Sequence, residues 1–517
     1  MLDEHLPSTG VWINGSGAKW ISAPKSVLDL VVFTTPEQQQ EINDLRKTFE
    51  ESNLPFRVDL SIWEEMSENF HEDYIVLANR VSAQVTTNWR ETSIGEIADI
   101  VGGGTPSTKD RGNFNGCIPW LTPKDLSGTH ERYIRRGERN LSQKGLNNSS
   151  ARLLPAHSVL LSTRAPIGYV ALAKNPIATN QGFRSLIVRD GVIPEFLYYW
   201  IKLNTQELER HASGSTFREL SGSALKDIRI KVPSLPEQRT ITHILSTLDD
   251  KIELNRRMNE TLEAMTRALF KSWFVDFDPV RAKMEGRDTG LPKHIADLFP
   301  GRLVESELGK IPEGWRVGSV NDICKKIENG GTPKRSVQEY WNGNIQWFKT
   351  SELVDEPLLN SSEQITQKGL DYSSCKRWPK GTVLIALYAA PTVGRLGILE
   401  ISATANQACC GLNAESNFGN QFLYYVLLFR RSYFHRIAVG AAQQNISQKI
   451  VRDCRIIIPC TVISRTFHSW AEAIYSQRVT ELSESRTLSD LRNTLLPKLI
   501  LGEIRLPKAG TEMEAQT

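Results

Sequence analysis

From Pro236 the chain reads PEQRTITHILSTLDDKIELNRRMNETLEAMTRALFKSWF, and its apolar residues recur at helical spacing. Counting in sevens from Ile241 gives Ile241, Leu248, Asn255, Leu262 and Leu269. The companion positions are Ile244, Lys251, Met258, Met265 and Ser272, and Leu245 and Ile252 widen the stripe. This pattern predicts a long helix with a coiled-coil seam, in which Asn255 fixes register at some cost in stability. Pro236 and Glu237 suit its first turn, where a missing N–H is harmless and a carboxylate meets the positive end of the helix dipole. A second stripe begins at Phe467, Trp470 and Ile474 and resumes in phase at Leu488, Leu491 and Leu495, across polar Gln477, Glu481 and Glu484. Pro497 is expected to end it. Either each helix packs only on its own domain, or the two form an antiparallel pair that spaces two domains. Their matching placement favours the pair.

Elsewhere the period changes. SVLLS (158–162) and TVLIA (382–386) read as short buried strands, as do SLIV (185–188) and the proline-ended RIKVP (229–233) and RIIIP (455–459). EFLYYWIKL and QFLYYVLLF read as amphipathic helices. Each set predicts an α/β (α+β) domain with a twisted mixed or antiparallel sheet.

The two sets are copies. Trp89 returns as Trp315, about 226 positions later, with the same landmarks in the same order. GGTP at 103–106 answers GGTP at 330–333, and NGCIPWLTPKDL at 115–126 answers NGNIQWFKTSEL at 342–353. SQKGLNNSS at 142–150 answers TQKGLDYSS at 366–374, and TNQ at 179–181 answers ANQ at 405–407. The expected organisation is an N-terminal module (1–85), repeat 1 (88–235), a spacer helix (236–275), an irregular Gly/Pro-containing connector (276–314) with one short helix near His294–Phe299, repeat 2 (315–460), a second spacer helix (461–505) and a tail (506–517), with no ordered element expected from Lys508.

Composition adds little until it is divided. At 517 residues, with 40% hydrophobic and 23% charged residues, the chain is an ordinary globular sequence too long for one core. Its longest apolar stretch, 381–394, is short of a bilayer span and contains Pro391. The first residues lack the pattern of a signal peptide, so no membrane association and a cytoplasmic location are expected. Seven cysteines without a CxxC pair predict free thiols and no metal site. The net charge of +3 hides a segmental pattern: residues 1–85 carry 6 basic against 14 acidic side chains, 86–235 carry 20 against 13, and 301–460 carry 19 against 14. Both repeats are therefore basic, as a polyanion partner requires. Two unequal copies on one chain suit a pseudo-twofold target, and double-stranded DNA is the prime candidate.

The candidate DNA-binding residues recur with the landmarks. Thr105, Ser107, Thr108, Lys109 and Arg111 follow the first GGTP; Thr332, Lys334 and Arg335 follow the second. Backbone N–H groups of a Gly-rich turn beside Lys and Arg suit phosphate oxygens. Lys124 and Lys349 follow the Trp-containing strand, Arg164 and Arg395 flank APIG and APTVG, and Arg184 follows TNQGF. Asn180, Gln181, Asn406 and Gln407 carry amides that can pair with adenine. Residue by residue, a turn or structural role is the simpler reading; the paired recurrence argues for function. Residues shared by both copies are expected to hold the scaffold or contact phosphate, and base choice to sit where the copies differ.

The duplicated GGTP…W…TNQGF domains, the LPEQ-led helix and the terminal LRNTLLPKLILGEIRL make residues 88–505 resemble the specificity subunit of type I restriction–modification systems. In that family each repeat is a target recognition domain, and the pair reads two half-sites separated by a few unspecified base pairs. The resemblance implies a non-catalytic chain docked to two methyltransferase subunits and to restriction translocase-nuclease subunits. S-adenosylmethionine, ATP and Mg would be bound by those partners and no cofactor by this chain. The second helix departs from the family pattern, since its entry reads PCTVISRTF at 459–467.

Residues 1–85 resemble a minimal nucleotidyltransferase domain instead. That family places a Gly-Ser turn before a D-x-D strand, with a third carboxylate on a later strand, to hold two divalent metals. Gly15 and Ser16 match the turn, Asp29 the second aspartate and Asp59 the third, while Val27 stands at the first and Gly17 where a basic residue is usual. The match implies a degenerate, inactive module. The competing reading of the whole chain is a nucleotidyltransferase-type regulator with an appended DNA-binding region.

Overall fold

The computed structural model describes residues 89–128, 131–164, 166–214, 218–388, 392–438 and 445–504, together with three backbone strands at 10–14, 27–33 and 57–62. Gly15, Ser16, Gly17 and the tail from 505 lie outside the described residues. The chain divides into two units, Met1–Asn255 with Glu484–Thr517, and Arg256–Ser483.

In the first unit, repeat 1 is built on a five-stranded sheet ordered Ala98–Gly102, Phe183–Val188, Val159–Thr163, Ile167–Ala173 and Tyr133–Ile134. Its pairs are antiparallel except the last, which is parallel. A three-stranded sheet, Ala178–Thr179, Phe114–Leu121 and Arg139–Leu141, stands beside it. Helix Pro194–Leu203 buries Phe196, Leu197, Tyr198, Tyr199, Trp200 and Ile201. That core also takes Ile241, Ile244, Leu245 and Leu248 from the central helix (Leu235–Lys271) and Leu488, Leu491, Leu495 and Leu499 from the C-terminal helix (Thr461–Ile500). Each such buried side chain contributes about 1.5–3 kcal/mol.

Repeat 2, in the second unit, has the same strand order: Cys324–Asn329, Cys409–Ala414, Val383–Ala386, Leu396–Leu399 and Glu356–Leu358 in one sheet, and Glu363–Ile365, Trp341–Phe348 and Thr404–Ala405 in the other. Here the helix joint is aromatic. Phe270 and Phe274 of the central helix and its extension pack on Phe422 and on Phe467 of the C-terminal helix.

The recurring Asn-Gly is a bulge. Asn115 and Asn342 take φ of 61° and 59°, the left-handed region that asparagine tolerates better than most residues. Register shifts by the same step in both copies, between Phe114 and Ile118 and between Trp341 and Ile345.

The LPEQ signature also has a physical role. Gln238 is fully buried, accepts from the Ile193 N–H at 2.8 Å, and donates to the carbonyls of Gly191 (3.0 Å) and Pro233 (2.9 Å). It thereby ties the start of the central helix to the turn before Pro194–Leu203. The altered entry of the second helix preserves the joint by other means. Ser464, also fully buried, stands at the equivalent position and its hydroxyl lies 3.2 Å from the Asn417 carbonyl, the equivalent of Gly191.

Three expectations need correction. The second half of the central seam is not the 258/265 line: Met258 and Met265 are 43% and 55% exposed, and Thr266, Phe270 and Trp273 are buried instead. A straight helix of 3.6 residues per turn drifts against a seven-residue repeat, and here the buried face follows the drift. Pro497 does not end the C-terminal helix, which runs to Ile500. The connector holds a helix at Asp278–Met284, entered through Phe277 in the left-handed conformation and with Pro279 in its first turn, as well as one at Lys293–Ala296.

At the N-terminus, Gly10–Asn14 pairs antiparallel with Val27–Phe33, which pairs parallel with Arg57–Ile62 and sets Asp29 opposite Asp59. No helix among the described residues is long and apolar enough to cross a membrane.

Candidate nucleic-acid interface

The shared landmarks converge on one loop cluster in each repeat. A Cβ on Gly103 would fall 2.0 Å from the Asn180 carbonyl, and one on Gly104 would fall 2.3 Å from the Ala151 nitrogen. The counterparts Gly330 and Gly331 meet Ala405 and Ser374 at 2.3 and 2.4 Å. Only glycine permits this approach. The Gly104 N–H donates to Thr179 O and the Gly331 N–H to Ala405 O, both at 2.9 Å. The indoles of Trp120 and Trp347 donate to Gly104 O at 3.0 Å and Gly331 O at 2.9 Å. The Gly104 and Gly331 N–H groups are therefore spent on the fold itself and are not the ones that meet a phosphate oxygen.

What the cluster presents outward is polar. Thr105 donates to Gln181 and Thr332 to Gln407, joining the GGTP and (T/A)NQ segments in both copies. Gln181 and Gln407 are exposed. Asn180 and Asn406 instead cap their own turns, accepting from Gly182 N at 2.9 Å and Ala408 N at 3.1 Å. Ser107, Thr108, Lys109 and Arg111 form an exposed run in repeat 1, and Lys334 and Arg335 are exposed in repeat 2. Lys124 is exposed and pairs with Glu138 at 3.3 Å. Arg395 is half-buried, and its backbone closes the 392–395 turn.

Other basic candidates are gathered in pairs by a carboxylate that sequence reading did not pick out. Glu219 accepts from Arg164 and, at 3.2 Å, from Arg184. Glu363 accepts from Arg335 and, at 2.8 Å, from Lys349. Hydrogen bonds from Arg335 and Lys349 hold the Glu363 carboxyl below its ordinary value, so it stays charged near neutrality. Such partly exposed pairs contribute about 0–1 kcal/mol each, so a phosphate oxygen can replace the carboxylate at little cost.

A stacked arginine was also missed in repeat 1. The Arg139 guanidinium lies 3.9 Å from the Phe114 ring centroid, and Arg335 lies 3.8 Å from that of Trp341. Phe114 and Trp341 begin equivalent strands, but their arginines come from different segments. The signal available in sequence was the aromatic residue immediately before each Asn-Gly.

The family model described as type I restriction modification DNA specificity domain matches residues 86–264 and 312–463. The chain is 34% identical over 427 residues to the type I restriction enzyme MjaIX specificity subunit of Methanocaldococcus jannaschii, covering 82% of this chain and 95% of that protein. It is 26% identical over 360 residues to the HindI specificity subunit of Haemophilus influenzae, covering 60% and 78%. Among solved structures, the type I restriction–modification S subunit of M. genitalium aligns over 81% of this chain and 97% of its own, with a TM-score of 0.54 at 15% identity. That last likeness is one of fold.

Proposed function

The chain belongs to the type I restriction–modification specificity-subunit family, and on that premise we propose that it reads a bipartite site in double-stranded DNA, one half-site per repeat. The observation that carries this reading is the duplicated loop cluster, which combines a shared glycine-locked scaffold with different exposed side chains in each copy. The chain is the DNA-recognition subunit and is not itself catalytic. It directs two methyltransferase subunits and the restriction translocase-nuclease subunits, which bring S-adenosylmethionine, ATP and Mg.

Within each repeat, Lys109, Arg111 and Lys334 take phosphate, as do Arg164, Arg184, Arg335 and Lys349 on exchange of their carboxylates. Gln181 and Gln407 present amides beside them. The two long helices act as a coiled-coil spacer that holds the half-site readers at a fixed separation.

The N-terminal module is read as a degenerate nucleotidyltransferase fold. Its support is the parallel register of Asp29 with Asp59, and its defect is Val27 two positions before Asp29. Labelled nucleotide should be incorporated into neither protein nor RNA by the wild type with Mg. Incorporation by the wild type would restore the regulator reading.

The test of the main reading is single-molecule sequencing of adenine methylation in a methylation-free host co-expressing this chain with its cognate methyltransferase subunit. A bipartite methylated motif is expected. An assembled complex that methylates no motif would overturn the specificity role.

A further inference from the structure

Each repeat grips both long helices through the same three groups. In the first unit, the Tyr199 hydroxyl donates to Asp249 Oδ2 of the central helix at 2.7 Å, and Arg492 of the C-terminal helix donates to Asp249 Oδ1 at 2.7 Å. In the second, the Tyr425 hydroxyl donates to Glu263 Oε2 of the central helix at 2.9 Å, and Arg478 of the C-terminal helix donates to the same oxygen. All four helix groups are largely withdrawn from water, with side-chain exposures of 11% and 17% for Asp249 and Arg492, and 16% and 7% for Glu263 and Arg478.

Duplication does not account for this likeness. Tyr199 and Tyr425 are equivalent, lying in EFLYY and QFLYY. The partners are not. The residues 226 positions from Asp249 and Arg492 are Tyr475 and Thr266, and those 226 from Glu263 and Arg478 are Ser489 and Ile252. In unit 1 the repeat's own following helix supplies the acid; in unit 2 it supplies the base. The same clasp has arisen from unrelated positions, so the arrangement itself is what both units share.

The positions also fit one register. Asp249 and Glu263 lie two heptads apart on the central helix, as do Arg478 and Arg492 on the C-terminal helix. Antiparallel pairing therefore sets 249 against 492 and 263 against 478 together. Sliding one helix by a heptad, about 10 Å, would set Arg256 against Arg478 or Arg492. It would also leave Asp249 facing Ser485 or Leu499, and Glu263 facing Ala471 or Ser485. A buried carboxylate without its arginine is strongly disfavoured, and so are two facing arginines. Every neighbouring register is penalised, while the observed one satisfies both acids.

We propose that the Tyr199–Asp249–Arg492 and Tyr425–Glu263–Arg478 clasps are positioning residues that set the number of unspecified base pairs between the two half-sites. They act by admitting one register of the helix pair and seating each repeat on it. This rests on the reading of the helices as a spacer. A one-heptad slip corresponds to about three base pairs of duplex.

The test uses the full chain with its methyltransferase subunit. Two readouts are taken: the methylated motif with its spacing, and binding to duplexes carrying both half-sites at the native spacing or at spacings up to about four base pairs longer or shorter. Wild type should prefer one spacing by about tenfold or more. Arg478→Glu and Arg492→Glu, singly and together, should collapse that preference while leaving both half-site sequences unchanged, which also shows that the repeats still fold. Arg478→Lys and Arg492→Lys keep the charge and should retain it. Glutamate variants that keep the wild-type spacing preference would overturn the proposal, as would variants that lose half-site sequence and spacing together. A wild type that methylates no bipartite motif would overturn the specificity reading itself, and the spacing role with it.

Discussion

Gln238→Ala isolates the joint between repeat 1 and its helix. The substitution removes three hydrogen bonds, at 2.8, 3.0 and 2.9 Å. The bond to Pro233 O is buried, and its loss strands a carbonyl at about 1–3 kcal/mol. The groups at Ile193 and Gly191 are partly exposed and regain some water, so each loses about 0.5–1.5 kcal/mol. The total is about 2–6 kcal/mol, a large share of a domain's stability. Ser464→Ala at the equivalent point removes a single hydroxyl donor, and one bond is worth about 1 kcal/mol. The expected result is asymmetric. Hydrogen exchange on the full chain, read residue by residue, should show repeat 1 opening more readily in Gln238→Ala, and repeat 2 little changed in Ser464→Ala. This assay resolves the two units separately and does not assume one cooperative transition. Equal losses in the two variants, or a Gln238→Ala cost below about 1 kcal/mol, would refute the assignment of the joint to this glutamine.

Lys109→Glu with Arg111→Glu should weaken binding at every DNA sequence and lower the slope of log K against log salt by about 1.8, since each phosphate left unneutralised removes about 0.9. A fluorescence titration across salt with an unchanged slope would remove both from the backbone contacts. Replacing residues 88–235 with the equivalent domain of a relative should change one half-site of the methylated motif, and a change in both would break the modular reading. His468, half-buried near Glu472, is pushed below its ordinary value by burial. The unfolded chain then binds the proton more readily, so stability of unit 2 should be full above about pH 6.5 and fall as pH drops below that value. Protection factors in unit 2 (exchange rates corrected for the intrinsic pH dependence of amide exchange) that stay flat from pH 7.5 to pH 5.5, about one unit either side, would contradict this.

What the sequence made legible was whatever packing forces to recur. Gly103 and Gly104 survive beside Thr179 and Ala151 because no side chain fits there, and their counterparts Gly330 and Gly331 obey the same constraint against Ala405 and Ser374. Duplicated landmarks of that kind reveal the repeat without any contact being known. For the same reason they describe the scaffold more than the DNA contacts: Asn180 and Asn406 recur because they cap a turn. The carboxylates that hold the basic side chains left no such mark. Glu219 reaches Arg164 across 55 positions and Glu363 reaches Arg335 across 28, through segments that are not duplicated in kind.

The helix seam shows the same limit from the other side. A heptad count rewards apolar residues, so it carried the first half of the central helix correctly and then followed Met258 and Met265 onto the exposed face. The groups that close the seam there are Asn255, met by Glu484, and Glu263, met by Arg478, with Thr266 also buried. In the C-terminal helix the polar stretch that reads as a gap is where Arg478 and Glu484 are buried. Apolar side chains are interchangeable along a stripe and tolerate slippage, whereas a buried acid needs one partner at one place. The stability of the helix pair therefore rests mainly on residues that periodicity detects, and its register on residues that periodicity scores as defects.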